Sequence, residues 1–356
     1  MESLPHDIVE RILELVPVKS LVRFKSVSKQ WKSTMESQYF QTKQLIFGVR
    51  SVRELDVLLV SKELKTMVLM PHDHHHIAAS APRTLDSLSS LSSPPCYLVC
   101  QTSCDGLVCL NAYLHLTIVF NPTTRWHRSL PLSRLQQLTF EKRIRESYRY
   151  SLPKLGFGKD KINDTYKPVW LYNSYEFGLE NATTCEVFDF STNSWRYITS
   201  SSPYRVIACP YPLYLDGMLY WLTEGEETKV LSLDLHTETF QVISEALFVQ
   251  AAPKDIIICN LNNCLCVSIY NRPQQDIWSF NSESKTWEQI YSLVNIYFHL
   301  SPLAILEENK LLCYVRVCGT RLKIYDPKTS SSVSVYRDPA LSEILVCYVK
   351  SLISIL

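Results

Sequence analysis

"FDFSTNSW" (residues 188–195) begins with Phe188, Asp189 and Phe190 in apolar–polar alternation, runs on through Ser, Thr, Asn and Ser, and resumes on a tryptophan. Such a run reads as the end of a strand, an Asx turn and the start of a returning strand. The same pattern stands at "FNPTTRW" (120–126), "LDLHTETF" (233–240), "FNSESKTW" (280–287) and "YDPKTSSSV" (325–333). The turn residues Asp189, Asp234, Asn281 and Asp326 are 45, 47 and 45 positions apart. Asn121 precedes Asp189 by 68, and this longer step holds the irregular "LSRLQQLTFEKRIRESYRYSLPK".

A second marker runs in phase with the first. Asp105-Gly106, Asp216-Gly217, Asn263 and Asn309 stand 16, 18, 18 and 17 residues before their Asx turns, and each introduces an apolar strand: "LVCL", "MLYWL", "CLCVSIY" and "KLLCYVRV". A repeat of about 45 residues with several short strands is the mark of a propeller, because a four-stranded blade buries both its faces only when neighbours stack on it. The length accommodates five to six units, and six blades are expected, with strands around Leu345 to Val349 completing a sheet begun near Leu45 to Val49. The aromatic residues that open each returning strand, Trp126, Trp195, Phe240 and Trp287, are expected in the core.

Residues 4–31, "LPHDIVERILELVPVKSLVRFKSVSKQW", have a different period. Asp7 and Glu10 suit the positive end of a helix, and Ile8, Val9, Ile12, Leu13, Leu15 and Val16 recur near every 3.6 residues until Pro17 stops the run. Shorter helices are expected around Ser20 to Lys25 and after Ser28, a cap, with Ser37 capping one more turn that leads to Phe40. A segment of about 40 residues rarely buries enough of its own surface to fold alone, so this apolar surface needs either the rest of the chain or another protein.

Leu4-Pro5, Asp7-Ile8, Ile12-Leu13, Val16-Pro17, Lys19-Ser20-Leu21, Arg23-Phe24, Val27-Ser28-Lys29 and Trp31 together resemble the F-box motif in the form common in plants. Arg11 stands where that family often has an acidic residue, and Leu15 where a basic or polar one is usual. Behind this motif, "CDGLVCL", "FNPTTRW", "LGFGKD", "FDFSTNSWR" and "YLDGMLYWL" resemble the F-box-associated, kelch-like β-propeller domain of plant F-box proteins. The chain has eight glycines, no Gly-Gly and no Trp-Asp, so its blades carry neither the kelch nor the WD signature. "TYKPVWLY" stands where the family has a strand resembling "DYKVV", and Pro168 is expected to restrict that strand to an edge or a start.

The expected fold class is therefore α+β: a short all-α module, residues 1–44, followed by an all-β six-bladed propeller, residues 45–356, with long loops at 71–95 and 132–153. The resemblance implies that Leu4, Pro5, Ile8, Ile12, Leu13, Pro17, Leu21, Phe24, Val27 and Trp31 bind a Skp-type adaptor, which in turn joins a cullin. It further implies the substrate-recognition subunit of an SCF-type (Skp-cullin-F-box) ubiquitin ligase, whose β domain holds an unidentified target. The alternative is a non-degradative interaction module that binds the adaptor and ubiquitinates nothing. A helical cap on the chain's own β domain is a further reading. A DNA-binding helix-turn-helix using Lys25, Lys29 and Lys32 is disfavoured, since Glu10, Glu14 and Glu36 offset the charge.

Little else carries chemistry. His72, His74, His75 and His76 lie in a Ser- and Pro-rich stretch without a fixed scaffold and make a poor metal site. The twelve cysteines form no Cys-x-x-Cys, and Cys96, Cys100, Cys104 and Cys109 read as small apolar strand residues. "LGFGKD" is followed by no helix pattern, so it lacks the dipole of a phosphate loop. No nucleophile elbow, carboxylate pair or nucleotide fingerprint is present, so no enzyme, cofactor or metal is expected. For the target, the basic loop offers Arg143 and Arg145 as candidates.

The composition fits that reading. Of 356 residues 46% are hydrophobic and 20% charged, and the net charge of +1 demands neither nucleic acid nor an acidic membrane surface. No signal peptide or membrane span is evident, which sets the expectation of a nuclear or cytoplasmic protein with free thiols. The triplets "NDT" (163–165) and "NAT" (181–183) are glycosylation acceptors that such a protein would not use.

Overall fold

A computed structural model of the chain describes residues 5–50, 55–60, 64–73, 76–80, 82–85, 97–100, 103–112, 117–145, 153, 155–200, 202–207, 211–243, 251–316, 320–338 and 344–355. Four helices come first: α1 (His6–Glu14), α2 (Val18–Phe24), α3 (Lys29–Glu36) and α4 (Gln38–Arg50). Proline precedes each of the first two, and Ser28 and Ser37 cap the others, accepting the amides of Trp31 at 3.0 Å and Phe40 at 3.2 Å. The strand expected at Leu45 to Val49 is instead the end of α4. Ser37 caps not one turn but a long helix.

Six antiparallel sheets follow. Blade I joins β1 (Leu55–Val60), β2 (Leu64–Asp73) and β3 (His76–Ala79) to β25 (Ile344–Tyr348), with the short β4 (Arg83–Thr84) beside β2. Blade II is β5 (Tyr97–Val99), β6 (Val108–Ala112), β7 (Thr117–Phe120) and β8 (His127–Leu130). After helix α5 (Arg134–Arg145), blade III is β9 (Leu155–Asp160), β10 (Thr165–Asn173), β11 (Thr183–Asp189) and β12 (Ser194–Tyr197). Blade IV is β13 (Leu213–Leu215), β14 (Met218–Leu222), β15 (Val230–Asp234) and β16 (Phe240–Val242). Blade V is β17 (Ile256–Leu261), β18 (Cys264–Asn271), β19 (Gln274–Asn281) and β20 (Thr286–Leu293), and blade VI is β21 (Ser301–Ile305), β22 (Leu311–Arg316), β23 (Thr320–Asp326) and β24 (Ser331–Asp338). The ring closes where β25 pairs with β1, Val57 opposite Cys347, so blade I takes strands from both ends of the domain and leaves no open edge between them.

Both repeated markers are turns with a physical reason. In the hairpins that join first and second strands, Asp105 and Gly106, Asp216 and Gly217, and Asn262 and Asn263 all have positive φ, the conformation of a tight turn that matches strand twist. Between third and fourth strands, the side chains of Asn121, Asp189, Asp234, Asn281 and Asp326 each accept the amide two residues on, at 2.7–3.0 Å. Arg125, Asn193, Glu238, Lys285 and Ser330 then take the same left-handed step. In blades III and IV the second and third strands are largely buried, while the fourth strands β12 and β16 are half-buried or exposed.

The loops needed correction. Residues 71–73 and 76–79 are strand, the β2–β3 hairpin, and β4 lies further along the same stretch. Most of 132–153 that is described is helix α5. The 68-residue step is long because it holds a helix. Pro168 lies inside β10, the second strand of its blade, and not on an edge. The sheet tolerates it because the β10–β11 ladder starts one residue later, at Val169 opposite Val187.

Candidate functional site

Apolar residues of α1 fall on two stripes. Val9, Leu13 and Val16 turn inward to a core with Val18, Leu21, Met35 and Phe40, and Phe24 and Trp31 pack beside it with ring centroids 5.9 Å apart. Ile8, Ile12 and Leu15, spaced along one helix face, are 43%, 51% and 76% exposed, and Pro5, Pro17 and Val27 are exposed as well. Among the described residues the side chains of Ile8, Ile12 and Leu15 join no buried core, and such a stripe of large aliphatic residues marks a contact surface. The structure thus divides the adaptor candidates. Leu13 and Leu21 are core residues with nothing left to offer a partner, Phe24 and Trp31 are half-buried, and Leu4 lies outside the described residues. Leu15 joins the exposed stripe at the position where the motif usually carries a polar residue. The sequence signal for the division was present, since Ile8, Ile12 and Leu15 lie along one side of a helix and Val9, Leu13 and Val16 along the next.

The helical module rests on one face of the propeller. Gln38 Nε2 donates to Asp164 in the β9–β10 turn at 2.9 Å, and Leu45 packs against the core shared by blades II and III. First and third strands of a blade run in the same direction, so the turns that follow them, Asp164 and the Asx turns included, share this face. The opposite face carries the second-to-third connections and those between blades. Helix α5 is one of the latter, and the short helical turn Ser174–Phe177 one of the former.

Helix α5 is anchored at its start. Ser133 and Gln136 form a reciprocal cap, Gln136 N donating to Ser133 Oγ at 3.2 Å and Ser133 N to Gln136 Oε1 at 3.0 Å. The next two amides, Arg134 and Leu135, donate to the two carboxylate oxygens of Glu186 in β11 at 2.9 and 2.8 Å, and Tyr172 OH donates to the same group at 3.0 Å. Burial pushes the Glu186 carboxyl above its ordinary value, although these donors pull it back. Lys142 donates to the Glu176 carbonyl and so ties the far end of the helix to blade III. Arg143 and Arg145 are in its last turn, and their side chains lie outside the described residues. The capping box Ser-x-x-Gln at 133–136 was the signal that sequence reasoning missed.

Aromatic residues mark the same opposite face: Phe140 of α5, Tyr175, and Tyr297 and Phe298 between blades V and VI are 51%, 80%, 57% and 51% exposed. On the module's side the central channel opens into a cavity of about 390 Å³ lined by Asp105, Asp216 and Asn260. Lys159 and Lys161 pair with its two carboxylates.

Among the described residues no group of His, Cys, Asp and Glu is placed to hold a metal, and no helix is long and apolar enough to cross a membrane. His72 and His76 belong to β2 and β3, while His74 and His75 lie outside the described residues. Cys100, Cys104 and Cys109 are buried with free thiols, and Cys96 is outside the described residues. "LGFGKD" is β9 itself.

Comparison with known proteins agrees with this architecture. Residues 1–43 match the F-box domain and residues 50–355 the F-box associated beta propeller domain. The F-box/LRR-repeat/kelch-repeat protein At1g09650 of Arabidopsis thaliana is 47% identical over 383 residues, covering 100% of this chain and 97% of its own length. F-box protein At2g34280 of the same plant is 45% identical over 401 residues, covering 100% of both. With an F-box match at the helical module and a propeller match behind it, and with relatives this similar over the whole chain, the chain belongs to the family of F-box proteins with an F-box associated beta propeller domain.

Proposed function

We propose that the chain is the substrate-recognition subunit of an SCF-type ubiquitin ligase, working in the nucleus or the cytoplasm. The exposed stripe of the F-box binds a Skp-type adaptor and through it a cullin, and the opposite face of the propeller holds a target protein. The observation that carries this reading is the division of α1, whose inward stripe completes its own core while Ile8, Ile12 and Leu15 remain exposed. Such a surface gains stability only from a partner: burying one aliphatic side chain of this size contributes about 1.5–3 kcal/mol. The target face is chosen because the helical module occupies the other one, and because anchored α5 and the exposed aromatic residues give it relief and apolar area.

No group in the molecule is asked to break a bond. The receptor's contribution is proximity: it holds a target where a ligase arm can reach its lysines, which converts a bimolecular encounter into a local one. The test is co-purification of the full chain with a Skp-type adaptor, beside a variant with Ile8→Asp and Ile12→Asp. These residues are exposed, so the variant should fold and lose the adaptor. Retention of the adaptor by the variant would sink the assignment of this stripe. Addition of cullin, ubiquitin and plant extract then separates a degradative receptor, which forms conjugates on captured proteins, from a non-degradative module.

A further inference from the structure

Asn121 differs in its connections from the other Asx-turn residues. Its Oδ1 accepts the amides of Thr123 at 2.8 Å and Thr124 at 3.3 Å, which is the turn itself. Its Nδ2 points the other way, within hydrogen-bond distance of the Ser351 carbonyl at 3.0 Å, Ser351 Oγ at 3.1 Å and the Ile353 carbonyl at 3.0 Å. The residue is fully buried, so these groups have no water to fall back on. Asp189, Asp234 and Asp326 make the same turn with a carboxylate, which accepts but cannot donate. Only an amide serves both purposes at residue 121.

The segment that Asn121 holds, residues 351–355, runs from β25 to the F-box. Gly106 lets it pass, since a Cβ there would meet the Val349 carbonyl at 2.4 Å and Ser351 Oγ at 2.5 Å. Leu352 is 1% exposed and sits among Leu13, Leu21, Met35 and Phe40, in the core of the helical module. Ile353 turns to the propeller core, and Ser354 exchanges bonds with Gln41 of α4, its amide donating to Oε1 at 3.2 Å. The F-box core is therefore completed by a residue more than 300 positions away, which only a closed ring delivers.

We propose that residues 351–355 are a latch, held by Asn121, that couples closure of the propeller to the folding of the F-box and so to its competence to bind an adaptor. The latch also fixes the angle between the adaptor surface and the opposite face of the propeller. The consequence for binding rests on the adaptor reading above, whereas the latch itself does not.

The test is Asn121→Asp in the full chain. The carboxylate preserves the Asx turn, as it does in three other blades, but removes the donor and faces two carbonyl oxygens. Hydrogen exchange should show lost protection of the α1–α4 amides, while blades IV to VI keep theirs, and affinity for a purified Skp-type adaptor should fall at least tenfold. Unchanged exchange in α1–α4 would overturn the latch. Altered exchange with no adaptor binding by the unaltered chain would support the latch and overturn the adaptor reading. Should Asn121→Asp fail to fold, Leu352→Ala takes its place: the same pattern of exchange supports the proposal, and α1–α4 protected as in the unaltered chain refutes it.

Discussion

Glu186 accepts the Leu135 amide at 2.8 Å, and with the Arg134 amide on its other oxygen this carboxylate joins the start of α5 to the middle of blade III. A helix start leaves amides without intrahelical partners, and burying them unpaired is costly. Here a carboxylate from another element supplies what α5 lacks. The helix is thereby a fixed part of the face proposed for target binding, and not a loop that a target must order.

Replacing Glu186 by Ala should therefore free the α5 amides. The expected loss is about 1–3 kcal/mol, the cost of a buried donor left unsatisfied. Hydrogen exchange at Arg134 and Leu135 should rise while blades V and VI are unaffected. Unchanged protection at those two amides would mean that α5 holds itself without the carboxylate.

Trp195 bridges blades III and II. Its ring packs on Phe188 with centroids 5.2 Å apart, and Nε1 donates to the Pro131 carbonyl at 2.8 Å. The ring is half-buried, so Trp195→Ala should cost about 2–3 kcal/mol, below the range for a fully buried tryptophan. Trp195→Phe, which keeps an aromatic ring and loses the donor, should cost about 1 kcal/mol. Urea midpoints of the two variants check the ordering. Should Trp195→Ala melt normally and lose proteins captured from extract, the ring is a contact residue and not a packing one.

Acid should loosen the joint between blades III and IV. Burial alone would raise the Glu238 carboxyl, but donation from Arg196 at 2.7 Å and Lys167 at 2.9 Å holds it below its ordinary 4.5. A carboxyl held low in the folded state contributes stability above its unfolded value, and that contribution is lost as pH falls through the folded value. Glu238→Gln should thus melt earlier than the unaltered chain near neutrality, with the gap closing below about pH 4.5. A gap of constant size across melting scans from about pH 7 to about pH 3 would contradict the linkage. Asp160 and Asp189 are also held low and share Lys167 and Arg196 with Glu238, so the gap reports this cluster of charges as a unit.

Gly158 is a packing requirement of the ring. A Cβ there would meet the Tyr214 ring at 2.3 Å and Leu235 at 2.8 Å, both from blade IV. Gly158→Ala should destabilise by about 1–3 kcal/mol through overpacking, read as a lower urea midpoint with unchanged slope. A midpoint equal to that of the unaltered chain would show that Tyr214 can step aside.

Much of the blade arrangement was legible because its causes are local. An Asx turn is made by a residue and the amides two and three positions on, and a tight hairpin by two residues of positive φ, so Asp189 and Asp216 declare their turns wherever the blades stand. The repeat of these local devices implied stacked blades, and the apolar face of α1 called for either the rest of the chain or another protein to cover it. The sequence alone also carried the capping box at Ser133, which is easily passed over because basic side chains on α5 mask its helical period.

What the tertiary structure decided depends on contacts between distant residues, on which local periodicity is silent. Leu45 to Val49 are helical, with Leu45 packed on the propeller core, and it is β1, further along the chain, that pairs with β25 to close the ring. Leu13 and Leu21 match the motif as well as Ile8 and Ile12 do, and only burial against Leu352 shows which pair faces inward. The choice of asparagine over aspartate at residue 121 is invisible among the repeats, since either side chain makes the turn. Its reason lies 230 residues away, in carbonyl oxygens that require a donor.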